Sequence, residues 1–312
     1  MNEFGRKSIP FVFIFDYEML VPKVLSVDEL KKNNIWVSVP GFTNRDSIIN
    51  PVSFTFEKQP VEYSRYKKAF YTVMDSINRG DTFLLNLTFP AKLKTDLSLS
   101  QIFEHSRAKY KLKYKEKFVV FSPETFITIV EDIISCFPMK GTIDANIKNA
   151  EIKLMNDVKE VSEHNTIVDL IRNDLSMVAK NVRVEKFRYI DKIKTHEKEL
   201  LQTSSKISGD LAGDWKGKTG DIIYTLLPAG SITGAPKQKT IETIKEAEGY
   251  SRKYFTGIFG YFDGEKLDSA VMIRFIEKTG DDLFYKSGGG ITSFSNCESE
   301  YREIIDKIYV PI

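Results

Sequence analysis

Residues 118–142 read FVVFSPETFITIVEDIISCFPMKGT, and this stretch predicts three β-strands in a row. The runs at 118–121, 126–130 and 133–137 are apolar and rich in β-branched and aromatic residues, and short polar breaks separate them. This spacing is typical of an antiparallel meander. Because Pro138 cannot donate to a β-ladder, we expect pairing to stop there and Lys140 to project beyond the strand end, beside Gly141.

Lys140 has two interpretations when this stretch is considered alone. A lysine at a strand end can act as a nucleophile if desolvation keeps its amine neutral. It can also be structural, with its stem over apolar surface and its head in water or beside a carboxylate. The local sequence by itself favours the structural role.

The flanking sequence predicts strands and helices in blocks. Residues 63–79 place Tyr66, Phe70, Val73 and Ile77 at helical spacing, and Gly80 supplies a C-terminal stop. Further helices are predicted at 98–109, within 150–179, and at 219–227, 236–247 and 298–309. Further strands are predicted at 9–15, 35–39, 52–56, 82–89, 182–189, 200–208, 255–262, 269–277 and 283–285.

These blocks indicate an α+β fold with antiparallel sheets and helices outside, since a parallel doubly wound sheet needs strands and helices to alternate. No repeat, low-complexity tract or linker marks a boundary within the 312 residues. We therefore expect a single domain over residues 1–312, with a short N-terminal β segment at 1–60 and a core at 61–312.

Composition excludes several classes of protein. Apolar residues at 42% and charged residues at 28% are typical of a globular chain. A net charge of +2, from 45 basic and 43 acidic residues, argues against nucleic-acid binding. No apolar run approaches the roughly 20 residues of a membrane helix, and the apolar patch at 9–15 lacks a signal-peptide cleavage site. Cys136 and Cys297 belong to no zinc or disulfide pattern, so we expect a reduced, cytoplasmic chain.

Carboxylates recur on two predicted helices. Glu163 lies on a charge-dense helix, and the last helix places Glu300, Glu303 and Lys307 on one face at i, i+3 and i+7. Three glutamates together would form an all-oxygen site suited to Mg²⁺. The alternatives are a salt-bridge network on the first helix and a surface Glu–Lys pair on the second.

Two glycine-rich stretches and one arginine suggest an anionic ligand. Residues 228–237 contain Ser231 and Thr233 and lead into a helix whose exposed N–H groups could hold an anion. Gly288, Gly289 and Gly290 predict a turn that either offers backbone donors to a carboxylate or is merely a tight hairpin. Arg274 is predicted to lie within the apolar strand that includes residues 270–273, where an arginine needs a buried anionic partner. The residues alone thus predict a Mg²⁺-dependent enzyme acting on a carboxylate.

Eight ordered motifs from about Tyr66 to the C-terminus carry a resemblance to a known family. They are GDTFLLNL, FSPETF, FPMKGT, EHNTIVDLIRNDL, PAGSITGAPK, GIFGYF, KSGGGI and EYREIIDK. The chain resembles the chorismate-utilising enzymes, and most of all the aminodeoxychorismate synthase component I branch. In that branch a lysine occupies the Lys140 position, where anthranilate synthases resemble P-I-A-G-T. The resemblance implies two large, mostly antiparallel β-sheets packed as a sandwich.

The resemblance also implies a role for each candidate residue. Lys140 would attack C2 of chorismate as the C4 hydroxyl leaves, with Glu124 as the general acid, and ammonia would then enter at C4. Glu163, Glu300 and Glu303 match the Mg²⁺ ligands. The substrate-binding positions are matched by Arg274, Lys307, Gly288, Gly289, Gly290, Ser231 and Thr233.

Two departures and several alternatives accompany the resemblance. Gln202 stands where family members commonly carry a histidine, and glutamine cannot carry a proton. The region before Tyr66 is shorter than in longer members. Ammonia is expected from a separate glutamine amidotransferase subunit in a transient heterodimer. The alternatives are an anthranilate or isochorismate synthase, for which Lys140 is the wrong residue, and a non-catalytic chorismate-binding relative, for which Gln202 argues.

Overall fold

Two β-sheets of nine strands each form the fold. The computed structural model describes residues 1–48, 52–194 and 199–312. Within those ranges every strand pair is antiparallel. The predicted α+β class with two large antiparallel sheets is confirmed.

The first sheet runs in the order β11-β13-β10-β9-β16-β15-β1-β2, and β12 pairs with β13. Its strands are β1 (Phe11–Phe15), β2 (Lys23–Ser26), β9 (Thr125–Val130), β10 (Ile133–Cys136), β11 (Met139–Asp144), β12 (Lys180–Lys194), β13 (Glu199–Asp210), β15 (Ile258–Phe262) and β16 (Leu267–Val271).

The second sheet runs in the order β14-β6-β18-β17-β8-β7-β3-β4, and β5 pairs with β6. Its strands are β3 (Ile35–Val39), β4 (Phe42–Thr43), β5 (Phe56–Gln59), β6 (Leu84–Thr95), β7 (Tyr110–Tyr114), β8 (Phe118–Ser122), β14 (Gly234–Ala235), β17 (Phe275–Thr279) and β18 (Asp282–Ile291).

Helices pack around these sheets. They are α1 (Asn2–Arg6), α2 (Val27–Lys32), α3 (Tyr63–Asn78), α4 (Leu99–His105), α5 (Ala150–Asn156), α6 (Val158–Ser176), α7 (Thr219–Leu226), α8 (Gly230–Thr233), α9 (Lys237–Glu248) and α10 (Cys297–Asp306), with a 3-10 turn at Trp215–Lys218. None of the helices in the described ranges is long and apolar enough to cross a membrane.

Strand β1 shows how the two sheets share a core. All five of its residues are buried, because the strand is covered on both faces. Val12 and Ile14 pack with residues of the second sheet such as Val37, whereas Phe11 and Phe13 join the larger core on the other face. Burying each such side chain contributes about 1.5–3 kcal/mol. The alternating pattern therefore fixes which face of β1 meets the second sheet.

The predicted meander at 118–137 is wrong in one respect. Strand β8 belongs to the second sheet, paired with β7 and β17, whereas β9 and β10 belong to the first. The chain crosses between sheets at Pro123 and Glu124, where proline removes a ladder donor. The polar break in the sequence is thus a crossover and not a hairpin turn.

The predicted strand at 269–277 is likewise two strands in different sheets. Strand β16 ends at Val271, and β17 begins at Phe275 in the second sheet. Arg274 therefore lies in the connection and not in a strand, with φ +53°. The residues on either side of the connection, Ala270 and Val271 before it and Phe275 and Ile276 after it, are all buried, so the composition carries no sign of the change of sheet.

The N-terminal segment departs most from its prediction. Residues 52–55 are not in a strand, since β5 begins at Phe56, and residue 51 lies outside the described residues. Helix α2 was not predicted, although a capping box joins Ser26 and Glu29 at its start. Other boundaries shift by a few residues: the helix predicted at 98–109 ends at His105, the helix at 298–309 ends at Asp306, and the strand at 255–262 begins at Ile258.

Candidate active site

Lys140 lies within a strand and not beyond one, which corrects its prediction. It belongs to β11 and is opposite Thr203 of β13. Pairing continues past Pro138 because proline keeps its carbonyl, which accepts a 3.0 Å hydrogen bond from the N–H of Ser205. A register shift follows between Lys140 and Thr142, where Gly141 has φ +62°. This bulge is the local irregularity that accompanies the lysine.

The amine of Lys140 points at helix α6. Its Nζ lies 3.3 Å from Oε2 of Glu163, and its side chain is only 20% exposed. Glu163 is itself buried. An amine beside a carboxylate was one of the two sequence interpretations, so the pair alone does not separate a structural lysine from a nucleophile. Its other neighbours bear on that choice.

Gly288, Gly289 and Gly290 lie inside strand β18, so the predicted turn is wrong. They are opposite Thr88, Leu87 and Asn86 of β6. Glycines usually weaken a strand, and their presence marks a place where something must approach the backbone closely. The run was mistaken for a hairpin because its composition is the same in both cases.

Gly289 and Gly290 face the charged residues, and the missing side chain at Gly290 leaves room for Nζ of Lys140. A Cβ added at Gly290 would lie 3.2 Å from Nζ of Lys140 and 3.8 Å from Oε2 of Glu163. A Cβ at Gly289 would lie 3.7 Å from Oε2 of Glu300 and 3.9 Å from Oε1 of Glu303. Three glutamates and Lys140 therefore converge on the surface of this strand.

Each glutamate contacts a lysine. Glu303 Oε1 lies 2.6 Å from Nζ of Lys307, and this contact lowers the pKa of Glu303 even though burial opposes the shift. Lys159 was not singled out from the sequence. Its Nζ lies 2.7 Å from Oε1 of Glu300 and 3.8 Å from Oε1 of Glu163. Burial opposes the charge on Lys159, but the hydrogen bond that this lysine donates to Glu300 and the negative charge of Glu300 raise the pKa of Lys159.

The three carboxylates have the chemistry of ligands for a hard divalent cation, although in the described chain they are not arranged as a metal centre. Across the described ranges no three His, Cys, Asp or Glu residues are already arranged as a metal centre, and ammonium groups contact the glutamates. However, Oε1 of Glu163 is buried and accepts no hydrogen bond. Oxygen donors from Glu163, Glu300 and Glu303 around one patch of backbone are the ligand type that Mg²⁺ takes.

Glu124 occupies the crossover between β8 and β9. Its Oε1 accepts a 2.5 Å hydrogen bond from the hydroxyl of Ser231 in α8. Burial raises the pKa of Glu124, whereas the Ser231 hydrogen bond and the charges of Lys140, Arg274 and Lys307 act in the opposite direction. A carboxyl group whose pKa is raised by burial is suited to donate a proton.

Arg274 and Lys307 supply positive charge, but only Lys307 is paired with a carboxylate of the described chain, that of Glu303. Arg274 forms no ion pair with any residue in the described ranges; its Nε lies 3.5 Å from the hydroxyl of Tyr309, and its guanidinium lies over that ring. The anionic partner expected from the sequence is therefore not part of the described chain. Lys307 donates a 3.1 Å hydrogen bond to the carbonyl of Gly288. Thr233 is the last residue of α8, two positions after Ser231, and it is fully buried.

A neutral histidine, His164, lies next to Glu163 in helix α6. His164 is fully buried, and its Nε2 lies 2.6 Å from the hydroxyl of Ser205. Burial lowers the pKa of His164 to about 4, so the ring is neutral at pH 7. Gln202 instead donates a 3.3 Å hydrogen bond to Thr142. Gln202 itself lies in β13, three residues before Ser205, which is the hydrogen-bond partner of His164.

A family model described as chorismate binding enzyme matches residues 30–312. The chain belongs to this family. It is 46% identical over 311 residues to an uncharacterized PabA-like protein of Haemophilus influenzae, and the match covers 100% of this chain and 95% of that protein. It is 28% identical over 291 residues to aminodeoxychorismate synthase component 1 of Bacillus subtilis, covering 88% of this chain and 60% of that protein.

The solved structures of chorismate binding enzymes share the fold. MenF, the menaquinone-specific isochorismate synthase from Escherichia coli, matches with a TM-score of 0.73 and 15% identity, covering 98% of this chain and 78% of that chain. At this identity the likeness concerns the fold alone. The two-sheet architecture around the crossovers is therefore the family's architecture.

Proposed function

We propose that the chain is an aminodeoxychorismate synthase, which converts chorismate and ammonia to 4-amino-4-deoxychorismate. The observation that carries this proposal is the position of Lys140, whose Nζ lies beside Gly290 and 3.3 Å from Glu163, at the strand on which the other two glutamates also converge. We assign Lys140 as the nucleophile and Glu124, whose pKa is raised by burial, as the acid. The similarity to aminodeoxychorismate synthase component 1 of Bacillus subtilis supports the same activity.

The first half of the reaction joins Lys140 to the substrate. The lone pair of the Lys140 amine attacks C2 of chorismate, a C–N bond forms, both ring double bonds shift by one position and the C4–O bond breaks, while the adduct nitrogen keeps both of its protons. Glu124 donates its proton to the departing hydroxyl, which leaves as water. The hydroxyl of Ser231 then stabilises the carboxylate that remains on Glu124.

The second half releases the lysine. Ammonia forms a bond to C4, both ring double bonds shift back, and the C2–N bond to Lys140 breaks, so that the lysine leaves as a neutral amine. The new C4 nitrogen gives up one proton, so the sum is chorismate plus ammonia giving aminodeoxychorismate and water. We assign Glu124, now a carboxylate, to accept that proton.

Chorismate carries two carboxylates, and the site offers two means of holding them. Arg274 and Lys307 would bind the enolpyruvyl carboxylate, since Arg274 has no ionic partner in the described chain. Glu163, Glu300 and Glu303 would hold Mg²⁺ in front of the glycines. When bound, that ion supplies the positive charge that lets a ring carboxylate approach three glutamates.

We propose that ammonia comes from a separate glutamine amidotransferase subunit. We also propose that the chain is cytoplasmic. Cys136 and Cys297 are both free and buried, and burial raises the pKa of the Cys136 thiol. Neither therefore has the accessible thiolate that glutamine hydrolysis requires. Aminodeoxychorismate formation from glutamine by the purified chain alone would refute this part of the proposal.

One incubation tests the activity. The purified chain is mixed with chorismate, MgCl₂ and an ammonium salt, and the product is identified by mass spectrometry. Aminodeoxychorismate supports the proposal. Anthranilate or isochorismate would instead assign one of the related synthase activities, and unchanged chorismate would indicate a binding protein.

A further inference from the structure

Lys159 is the cation in this site that contacts glutamates from two helices. It lies in the first turn of α6, one turn before Glu163, and it also reaches Glu300 of α10. Glu300 is 1% exposed, so its charge depends on this contact more than a surface glutamate would. Lys140 and Lys307 each contact only one glutamate among the described residues.

The ammonium group of Lys159 can also move into water. Its side chain is 32% exposed, and its neighbour Val158 at the start of the helix is 77% exposed. A flexible four-carbon stem at such an edge can carry its ammonium group into water. Lys140, by contrast, is 20% exposed and its strand is paired on β13.

We propose that Lys159 is a built-in competitor for the divalent cation: its ammonium bridges Glu163 and Glu300 in the metal-free chain and withdraws when the ion binds. This inference rests on the proposed metal site. Lys159 contacts the Oε1 atoms of Glu163 and Glu300, and the Oε2 atoms of the same two carboxylates face the glycine strand. Two cations on the same pair of carboxylates repel each other strongly, so binding of the ion would displace the lysine. Lys159 would thereby set the affinity for Mg²⁺ and keep the empty site folded.

The first test measures Mg²⁺ binding directly by titration calorimetry, with Mn²⁺ binding followed by electron paramagnetic resonance as a second probe. The variants are Lys159→Met and Lys159→Gln, and Lys153→Met on the exposed side of α5 is the matched control. Removing the competing charge should tighten metal binding by about tenfold or more. Lys153→Met should bind as the wild type does.

A second test uses only the wild-type chain, so it stands even if the variants fold poorly. Amine acetylation is followed by peptide mass spectrometry with and without MgCl₂. Lys159 should react faster in the presence of Mg²⁺, because its ammonium leaves the carboxylates, whereas Lys153 should not change. Unchanged labelling of Lys159 despite measurable Mg²⁺ binding would overturn the inference.

The outcomes separate this inference from the proposed metal site. If the wild type and Lys159→Met bind Mg²⁺ with equal affinity, the competitor role fails and the metal site stands. If neither binds Mg²⁺ or Mn²⁺, the metal site fails and the competitor role fails with it. Tighter binding by both Lys159 variants supports both.

Discussion

The backbone N–H of Val271 donates a 3.2 Å hydrogen bond to the carbonyl oxygen of Glu124. Both residues stand where the chain leaves one sheet for the other, and the N–H of Phe121 donates in turn to the carbonyl of Arg274 at 3.1 Å. The two crossovers are thus joined by hydrogen bonds on both sides. This junction places the candidate acid and the candidate anion-binding arginine at one end of the paired sheets.

Replacing Ser231 with alanine should slow the reaction and move its pH profile. The hydroxyl donates to Glu124, and loss of a hydrogen bond to a charged group costs about 1.5–3 kcal/mol, so kcat should fall about 10- to 100-fold. That hydrogen bond lowers the pKa of Glu124 against the effect of burial. Its removal should raise the pKa, and the alkaline limb, where the acid loses its proton, should move to higher pH.

The kcat–pH profile of Ser231→Ala is the measurement for this prediction. Ser251→Ala is the control, because that serine also donates to a carboxylate, Glu18, but on the exposed surface. A limb that stays in place, or moves to lower pH, would exclude Glu124 as the acid that Ser231 supports.

Gly290→Ala should abolish most activity without unfolding the protein. The new Cβ would lie 3.2 Å from Nζ of Lys140 and fill the space that the substrate needs, so kcat/KM should fall roughly 100-fold. Melting temperature and steady-state rates are measured together. Gly213→Ala is the matched control, since nothing lies within 4 Å of its Cβ. Normal turnover by Gly290→Ala would mean that the substrate does not lie over this strand.

Arg252→Met should destabilise the fold. Arg252 and Glu248 are 1% and 0% exposed, and Arg252 also donates to the carbonyls of Ile232 and Asn86. Removing it leaves Glu248 charged and buried, which costs about 3–5 kcal/mol of unfolding free energy in chemical denaturation. Arg302→Met breaks a pair of the same spacing, Arg302–Glu298, that is mostly exposed, and should have a much smaller effect. Equal losses in the two variants would contradict this account.

The sequence predicted elements well where one face decides the structure. Helix α3 was recognised from its apolar spacing, and Tyr66, Phe70 and Val73 are indeed buried. The prediction from the sequence failed where the chain changes sheet, at Glu124 and Arg274, because buried strands have the same composition in either sheet. Which sheet a strand joins depends on its pairing partners, and these lie far away in the chain.

Two features of the site had weak local signals. The three glycines have the composition of a hairpin, and only the register with β6 reveals a strand. Lys159 lies four residues before Glu163, a spacing that could have suggested the pair, but its contact with Glu300 links positions 141 residues apart. Helix–helix packing creates that contact, so no local pattern encodes it.

The role of Lys140 is the central claim, and a covalent adduct tests it most directly. The wild-type chain, Lys140→Ala and Lys140→Arg are each mixed with chorismate and MgCl₂ without ammonia, quenched, and digested for mass spectrometry. Lys140→Arg keeps a positive charge beside Glu163 but removes the nucleophile, so it separates the two interpretations of this lysine. We expect a wild-type peptide heavier by chorismate less one water at Lys140 and no adduct in the variants. In a parallel incubation with an ammonium salt, we expect aminodeoxychorismate from the wild type and none from the variants. Wild-type rates of product formation by Lys140→Ala or Lys140→Arg would contradict the account.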